Sequence, residues 1–318
     1  MGRFYRTCLI APSGDRPPMT ISFGDYLDAK FLLDERSLNR DVKAVFWAAL
    51  RSRLVLRVLD LGCGHGATIR RLLEEPLLGR LDITAVDRDG DLLDKAYAAT
   101  VELLEQREYE VSKEDAFIRA VRDREVTTVR FIKRDLKEFA PGEGEKWDVI
   151  TAHALMDLLP PAFILERLRD WLAANGLFYA TLNYDAGTTL FPAAPDADIE
   201  GAVLEYYDRS MSRTFEGLPC GGAHSGRLLH RAMLAKGFEV LAYGSSDWSL
   251  TPFCGRYRDG DAQCLEALLE MIWGEASRSS LFDPEALKAW YAGRLAQLRQ
   301  QALGLIVHQI DLLGQKIG

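Results

Sequence analysis

Cysteine and histidine are scarce in this chain: five of each among 318 residues. The cysteines (Cys8, Cys63, Cys220, Cys254 and Cys264) stand apart, with no C-x-x-C pair and no His/Cys ligand spacing. That excludes a zinc module and a disulfide framework, and it predicts reduced thiols, no metal and a cytoplasmic setting. Long apolar runs are also missing, so no membrane span is expected. Cys8–Ala11 is too short for a signal-peptide core, and Arg6 stands where N-myristoylation needs Ser or Thr. An excess of basic charge is lacking too. The net charge is −8 and the pI about 5.3, which argues against an extended nucleic-acid footprint. The cluster Arg119, Arg122, Arg124, Arg130, Lys133, Arg134 is interrupted by acids and reads as a solvated face. Internal repeats and low-complexity tracts are absent.

What is present suits a large core. Hydrophobic residues make up 48% of the chain, enough for one large α/β domain with insertions or for two small domains. The organising stretch is Val58–Thr68. Leu54, Val55, Leu56, Val58 and Leu59 read as a buried parallel strand. Gly62, Gly64 and Gly66 follow, and Thr68 onward reads as a helix. A strand, a glycine-rich turn and a helix bring backbone N–H groups close to a ligand, because glycine has no Cβ to hold them apart. The spacing is G-x-G-x-G, whereas a dinucleotide fingerprint is G-x-G-x-x-G. Asp60 ends the strand. A carboxylate there is a poor neighbour for pyrophosphate and suits a ligand bearing an ammonium group.

An acidic residue followed by G-x-G-x-G resembles the first motif of the class I S-adenosylmethionine (SAM)-dependent methyltransferases. The resemblance covers roughly Val45–Asn183, and more weakly Gly226–Tyr243 and the C-terminal stretch. It implies SAM as cofactor, with Asp60, Gly62, Cys63, Gly64 and Gly66 around its methionyl end. Asp87 closes a second strand, Leu81–Asp87, about twenty residues past the glycines. There a doubly wound fold places the ribose-binding acid, with Arg88 beside it. Asp89 is better placed as the next helix cap. A third strand, Thr127–Lys133, leads to Asp135-Leu136, where the resemblance puts adenine. A fourth, Trp147–His153, ends in His153 and is followed by Asp157. In an open α/β sheet both fall near the methyl group. His153 is a candidate general base or a packing residue that touches the cofactor. Asp157 and Asp185 are second candidates for catalysis.

The resemblance also implies a doubly wound, seven-stranded α/β sheet of order 3-2-1-4-5-7-6 with strand seven antiparallel. The expected organisation is a helical N-terminal lid (1–50), in which Tyr26 and Lys30 could meet SAM, and a Rossmann-like core (51–183, 225–245 and 303–318). Cap insertions at 184–224 and 246–302 complete it. Residues up to about Thr20 read as loose. Leu92–Arg107 and Lys113–Arg124 read as helices, and 303–313 as the last strand, with helix as the alternative.

Both insertions leave parallel strands at the sheet's carboxyl edge, so they predict a covered pocket for a small acceptor. Its walls would be Tyr206, Tyr207, Trp248 and Phe253, with polar contacts from Asp185, His224 or Asp247, and Tyr184 is a further substrate-binding candidate. The same helices could instead build a homodimer interface. The function expected is SAM-dependent O- or N-methylation of a small molecule. The rivals are a nicotinamide-dependent oxidoreductase and a SAM-binding partner protein without catalysis.

Overall fold

The computed structural model describes residues 22–75 and 79–318. The loose segment expected up to Thr20 lies outside them. The elements in chain order begin with α1 (Phe23–Ser37), α2 (Arg40–Leu50), β1 (Val55–Leu61), α3 (Ala67–Glu74), β2 (Arg80–Asp87) and α4 (Gly90–Gln106). Next come β3 (Glu110–Glu114), β4 (Phe117–Arg122), β5 (Glu125–Lys133), β6 (Trp147–His153), a single 3₁₀ turn (Met156–Leu158) and α5 (Pro161–Trp171). Then follow β7 (Leu172–Phe191), α6 (Ala197–Ser210), the two-residue strands β8 (Thr214–Phe215) and β9 (Leu218–Pro219), and α7 (Ser225–Ala235). The chain closes with β10 (Phe238–Ser245), β11 (Trp248–Leu250), α8 (Asp261–Ala276), α9 (Pro284–Arg299) and β12 (Gly304–Lys316).

Among the described residues the main sheet runs β10-β12-β7-β6-β1-β2-β5-β4-β3, with β11 paired on β12. The seven strands expected are β1, β2, β5, β6, β7, β10 and β12, and they stand in the anticipated order. β12 is antiparallel to both its neighbours, so the C-terminal stretch is a strand. The sheet is wider than seven strands, because Lys113–Arg124 is not a helix. It forms β3 and β4, an antiparallel hairpin added to the edge of β5. Phe117–Arg122 alternates, with Ile118 and Ala120 fully buried and Arg119 exposed, and that period suits a strand. Tight turns with positive φ at Ala116 and Asp123 fold it back on both sides.

Local chemistry sets most helix starts. Asn39, Asp89, Asp196 and Asp283 each accept backbone N–H bonds from the first turn they precede. His224 holds the position before α7, and the Ser225 hydroxyl donates to Tyr184 O at 2.9 Å. Three apolar layers result. One lies between the sheet and α2, α3 and α4. A second lies on the opposite face under α5 and α7. The third sits above the carboxyl edge, where Tyr26, Leu27 and Leu33 of α1 pack with Tyr207, Trp248, Leu265 and Leu269. Thus α1 and the two insertions share one core, and α1 reaches from it to His65 after β1 and to His153 at the end of β6.

Candidate functional site

The turn after β1 is built for close approach. Gly62, Gly64 and Gly66 have φ of 63°, 54° and 90°, left-handed values that other residues adopt at a cost. A Cβ on Gly62 would stand 2.9 Å from Leu155 Cδ1. The loop is tied to β2: Gly62 N and Cys63 N donate to Val86 O at 2.8 and 3.1 Å. Gly64 N donates to Asp87 Oδ2 at 2.9 Å, and Asp89 N to Asp87 Oδ1 at 2.9 Å. Asp87 is therefore held at the mouth of the loop. Burial raises its carboxyl pKa.

Asp60 is 1% exposed. Thr151 Oγ1 donates to its Oδ1 at 2.7 Å, whereas its Oδ2 is buried without a partner. Burial pushes its pKa up to about 6. A buried carboxylate oxygen lacking a donor is unfavourable in water-free surroundings. It fits a cationic N–H brought by a ligand, directly or through a water. Cys63 is buried and its thiol is pushed well up by that burial, so it fills space rather than acting as a nucleophile. Asp135 sits at the end of β5, one strand beyond Asp87, and its Oδ1 accepts from Lys137 N at 3.0 Å. Asp60, Asp87 and Asp135 thus mark the ends of three adjacent parallel strands.

At the end of β6, His153 meets a polar network that the sequence did not announce. Its Nε2 lies 3.1 Å from Asp34 Oδ2, and its Nδ1 lies 2.7 Å from Thr181 Oγ1. Arg71 of α3 places one terminal nitrogen 3.3 Å from each ring nitrogen. The in-plane lone pairs of an imidazole diverge, so a single guanidinium so placed lies against the ring face. Arg71 also pairs with Glu35. Asp34 accepts from Lys30 Nζ and, at 3.0 Å, from Trp248 Nε1. Burial and the Arg71 charge push His153 down to about 3, so the ring is neutral at ordinary pH. Burial pushes Asp34 up, but Lys30 and His153 outweigh it and hold the carboxyl well below its usual range. The only sequence sign of this cluster was charge on inward helix faces. Lys30 and Asp34 are spaced i,i+4 on the face carrying Tyr26 and Leu33, and Arg71 lies on the buried face of α3.

The remaining candidates are distributed differently from expectation. Tyr26 and Lys30 are buried, and the Tyr26 hydroxyl has no partner. Tyr207 and Trp248 are buried within the chain's own core, and Tyr206 packs edge-on against Phe282 at 5.6 Å. Tyr184 donates to Asp208 Oδ1 at 2.6 Å. Asp185 is not turned to His153: its carboxylate takes the Arg227 N–H at 2.9 Å and Nε at 2.8 Å, and its backbone bridges to His224. Asp247 accepts from Ser245 Oγ, His308 Nδ1 and Gln309 N. Phe253 is 68% exposed and walls nothing. Asp157 is half-buried on the 3₁₀ turn, its carbonyl accepting from Gly222 N at 2.8 Å. The half-buried Arg88 follows Asp87 out of the strand. A small cavity does reach His153, but Phe46, Trp47, Thr68, Arg71, Thr151 and Tyr179 line it, and no insertion residue does.

Comparison with known proteins agrees with this geometry. Residues 59–178 match the family model described as a methyltransferase domain. No curated protein matches the chain in sequence. Among solved structures, a protein of Bacillus halodurans C-125 described as a methyltransferase superposes with a TM-score of 0.50. It shares 15% identity, over 88% of this chain and 100% of its own. SAM-dependent methyltransferases of Geobacter sulfurreducens and Thiobacillus denitrificans, both in complex with S-adenosylhomocysteine, share 17% and 16% identity at TM-scores of 0.43. The first covers 93% of this chain and 99% of its own; the second covers 89% and 96%. No helix among the described residues is long and apolar enough to cross a membrane.

Proposed function

We propose, from the match of residues 59–178 to a methyltransferase domain, that this chain is a class I methyltransferase with SAM as methyl donor and that it methylates an oxygen or nitrogen of a small molecule beneath the cap. One observation carries the reading. Asp60, Asp87, Asp135 and His153 stand at neighbouring strand ends, and α1, which shares a core with α6 and α8, lies against the glycine loop and His153. A helix laid against the site suits a small acceptor, and the net charge of −8 disfavours nucleic acid.

In this reading Asp60 serves the ammonium of the methionyl end, Asp87 the ribose hydroxyls, and Asp135 with the Leu136 N–H the adenine. The glycine loop, Cys63 included, shapes the approach, and Arg88 flanks the ribose. SAM supplies an electrophilic methyl group. The chain holds the acceptor in line with it and excludes water, and such positioning is worth several kcal/mol. His153 is neutral, and with its pKa pushed down to about 3 the ring orients a hydroxyl acceptor by hydrogen bonding rather than keeping its proton. Trp248 and Tyr207 are packed in the core above the sheet edge, with Tyr184 and Tyr206 against it, and an acceptor entering between α1 and the insertions would meet these residues. Their burial within one chain favours this pocket over a homodimer built on the same residues. The G-x-G-x-G spacing and the acid before it disfavour a nicotinamide cofactor.

Calorimetry with S-adenosylhomocysteine, SAM and NAD tests the first step: the two adenosyl ligands bind and NAD does not. Incubation with methyl-labelled SAM and a small-molecule extract then tests the second. Label transferred only to macromolecules refutes the small acceptor. Binding without any transfer favours a SAM-binding partner protein.

A further inference from the structure

His153 has a neutral ring, and a neutral imidazole carries its proton on one nitrogen only. Three groups touch the ring nitrogens, and they differ in what they can impose. Thr181 Oγ1, 2.7 Å from Nδ1, is a hydroxyl, able to donate or accept. Arg71 lies against the face, not in the plane of the lone pairs. Asp34 is an ionised carboxylate, and a carboxylate only accepts. Its Oδ2, 3.1 Å from Nε2, therefore requires a proton on Nε2.

We propose that Asp34, carried into the site by α1, is the positioning residue that fixes His153 as its Nε2–H tautomer and leaves Nδ1 as the ring's hydrogen-bond acceptor, facing the Thr181 hydroxyl. The proposal rests on the reading of His153 as a group at the methyl-transfer centre.

The surroundings of Asp34 are built to keep it an acceptor. It is 2% exposed. Lys30, one turn earlier on the same helix, pairs with Oδ2, and the Trp248 indole N–H donates to Oδ1 at 3.0 Å. The charged groups facing the ring are Lys30, Asp34 and Glu35 of α1 and Arg71 of α3. Glu35 is engaged by Arg71, and Lys30 by Asp34. Each cation thus has its own acid, and of the two acids only Asp34 reaches an imidazole nitrogen. Because Asp34 and Glu35 sit on α1 while His153 sits on the sheet, the protonation pattern of the ring depends on α1 being docked. α1 docks through Asp28 to His65 of the glycine loop and to Lys95 of α4, so the arrangement at His153 is tied to the loop that faces the cofactor.

The test uses the full chain labelled with ¹⁵N and long-range ¹H–¹⁵N correlation of the imidazoles, with His153 assigned through His153→Gln. Only five histidines contribute. The wild-type ring is expected to show the Nε2–H pattern with no titration between pH 5 and 8. In Asp34→Asn the pattern is expected to be lost in favour of Nδ1–H or a mixture, and Asp34→Glu is expected to restore it. An Nδ1–H or charged His153 in the wild-type protein overturns the proposal, and that measurement needs no variant to fold. An unchanged pattern in a folded Asp34→Asn protein overturns it as well. S-adenosylhomocysteine affinity, measured in parallel, reports separately on the functional reading. Should the tautomer follow Asp34 while no adenosyl ligand binds, the positioning stands and the methyltransferase reading falls.

Discussion

Asp60 offers the most direct measurement of what the glycine loop holds. Its carboxyl is buried, one oxygen lacks a donor, and its pKa is pushed up to about 6. A group of that pKa is about half protonated at pH 6 and about one-tenth protonated at pH 7. An ammonium brought beside it favours the charged form and lowers the pKa. Binding at pH 6 is therefore expected to release about half a proton, and binding at pH 8 almost none. Titration calorimetry with S-adenosylhomocysteine in buffers of different ionisation enthalpy reads this directly. 5′-Methylthioadenosine, which lacks the amino-acid end, should bind without the release, and Asp60→Asn should abolish it. The unliganded protein carries the complementary signature. The folded pKa lies above the unfolded value, so the folded state binds the extra proton. Stability falls as pH rises from about 4 through about 6, by an amount on the order of 3 kcal/mol, and is not regained above that range. Equal enthalpies across buffers at pH 6, or a release that survives Asp60→Asn, would refute the assignment of Asp60 to a cation.

Asp87→Ala removes the acceptor expected for the ribose and frees Gly64 N. At roughly 1.5–3 kcal/mol per charge-assisted bond it should weaken S-adenosylhomocysteine binding at least tenfold, by calorimetry. Gly64→Val meets only ordinary contact, Leu27 Cδ1 at 3.8 Å from the new Cβ, but φ is +54°. It should cost about 1–2 kcal/mol of stability and abolish ligand binding while circular dichroism stays native. In the cap, Arg294 is 2% exposed and bonds Glu200, which also takes the Trp290 N–H at 3.0 Å. Arg294→Met strands a buried carboxylate and should cost about 3–5 kcal/mol by denaturant unfolding. The double change with Glu200→Leu should recover most of it.

The alternation between sheet strand and helix was legible along the core because each segment carries its own period. The capping residue Asp89 was legible because a side-chain oxygen before a helix has one evident use. The hairpin at Glu110–Arg122 was not, since charged residues at both periods fit a helix as readily. Pairing with the free edge of β5 decided it. β7 likewise runs past Asn183 to Phe191, because β12 offers it a partner for that length.

By itself the sequence determined the parallel core, the glycine turn between Asp60 and α3, and the strand-end acids Asp87 and Asp135. All of these depend on neighbours within a few residues, where backbone freedom and hydrophobic spacing act directly. Only the tertiary structure decided what surrounds His153. Asp34 and Glu35 come from α1, Arg71 from α3, Thr181 from β7 and Trp248 from β11, and no local rule brings such distant residues together. It also turned Asp185 to Arg227 and left Phe253 in solvent. A charged side chain on a helix gives no sign of which partner it will find. That is fixed when the apolar face beside it, here Tyr26 and Leu33, is buried against the rest of the chain.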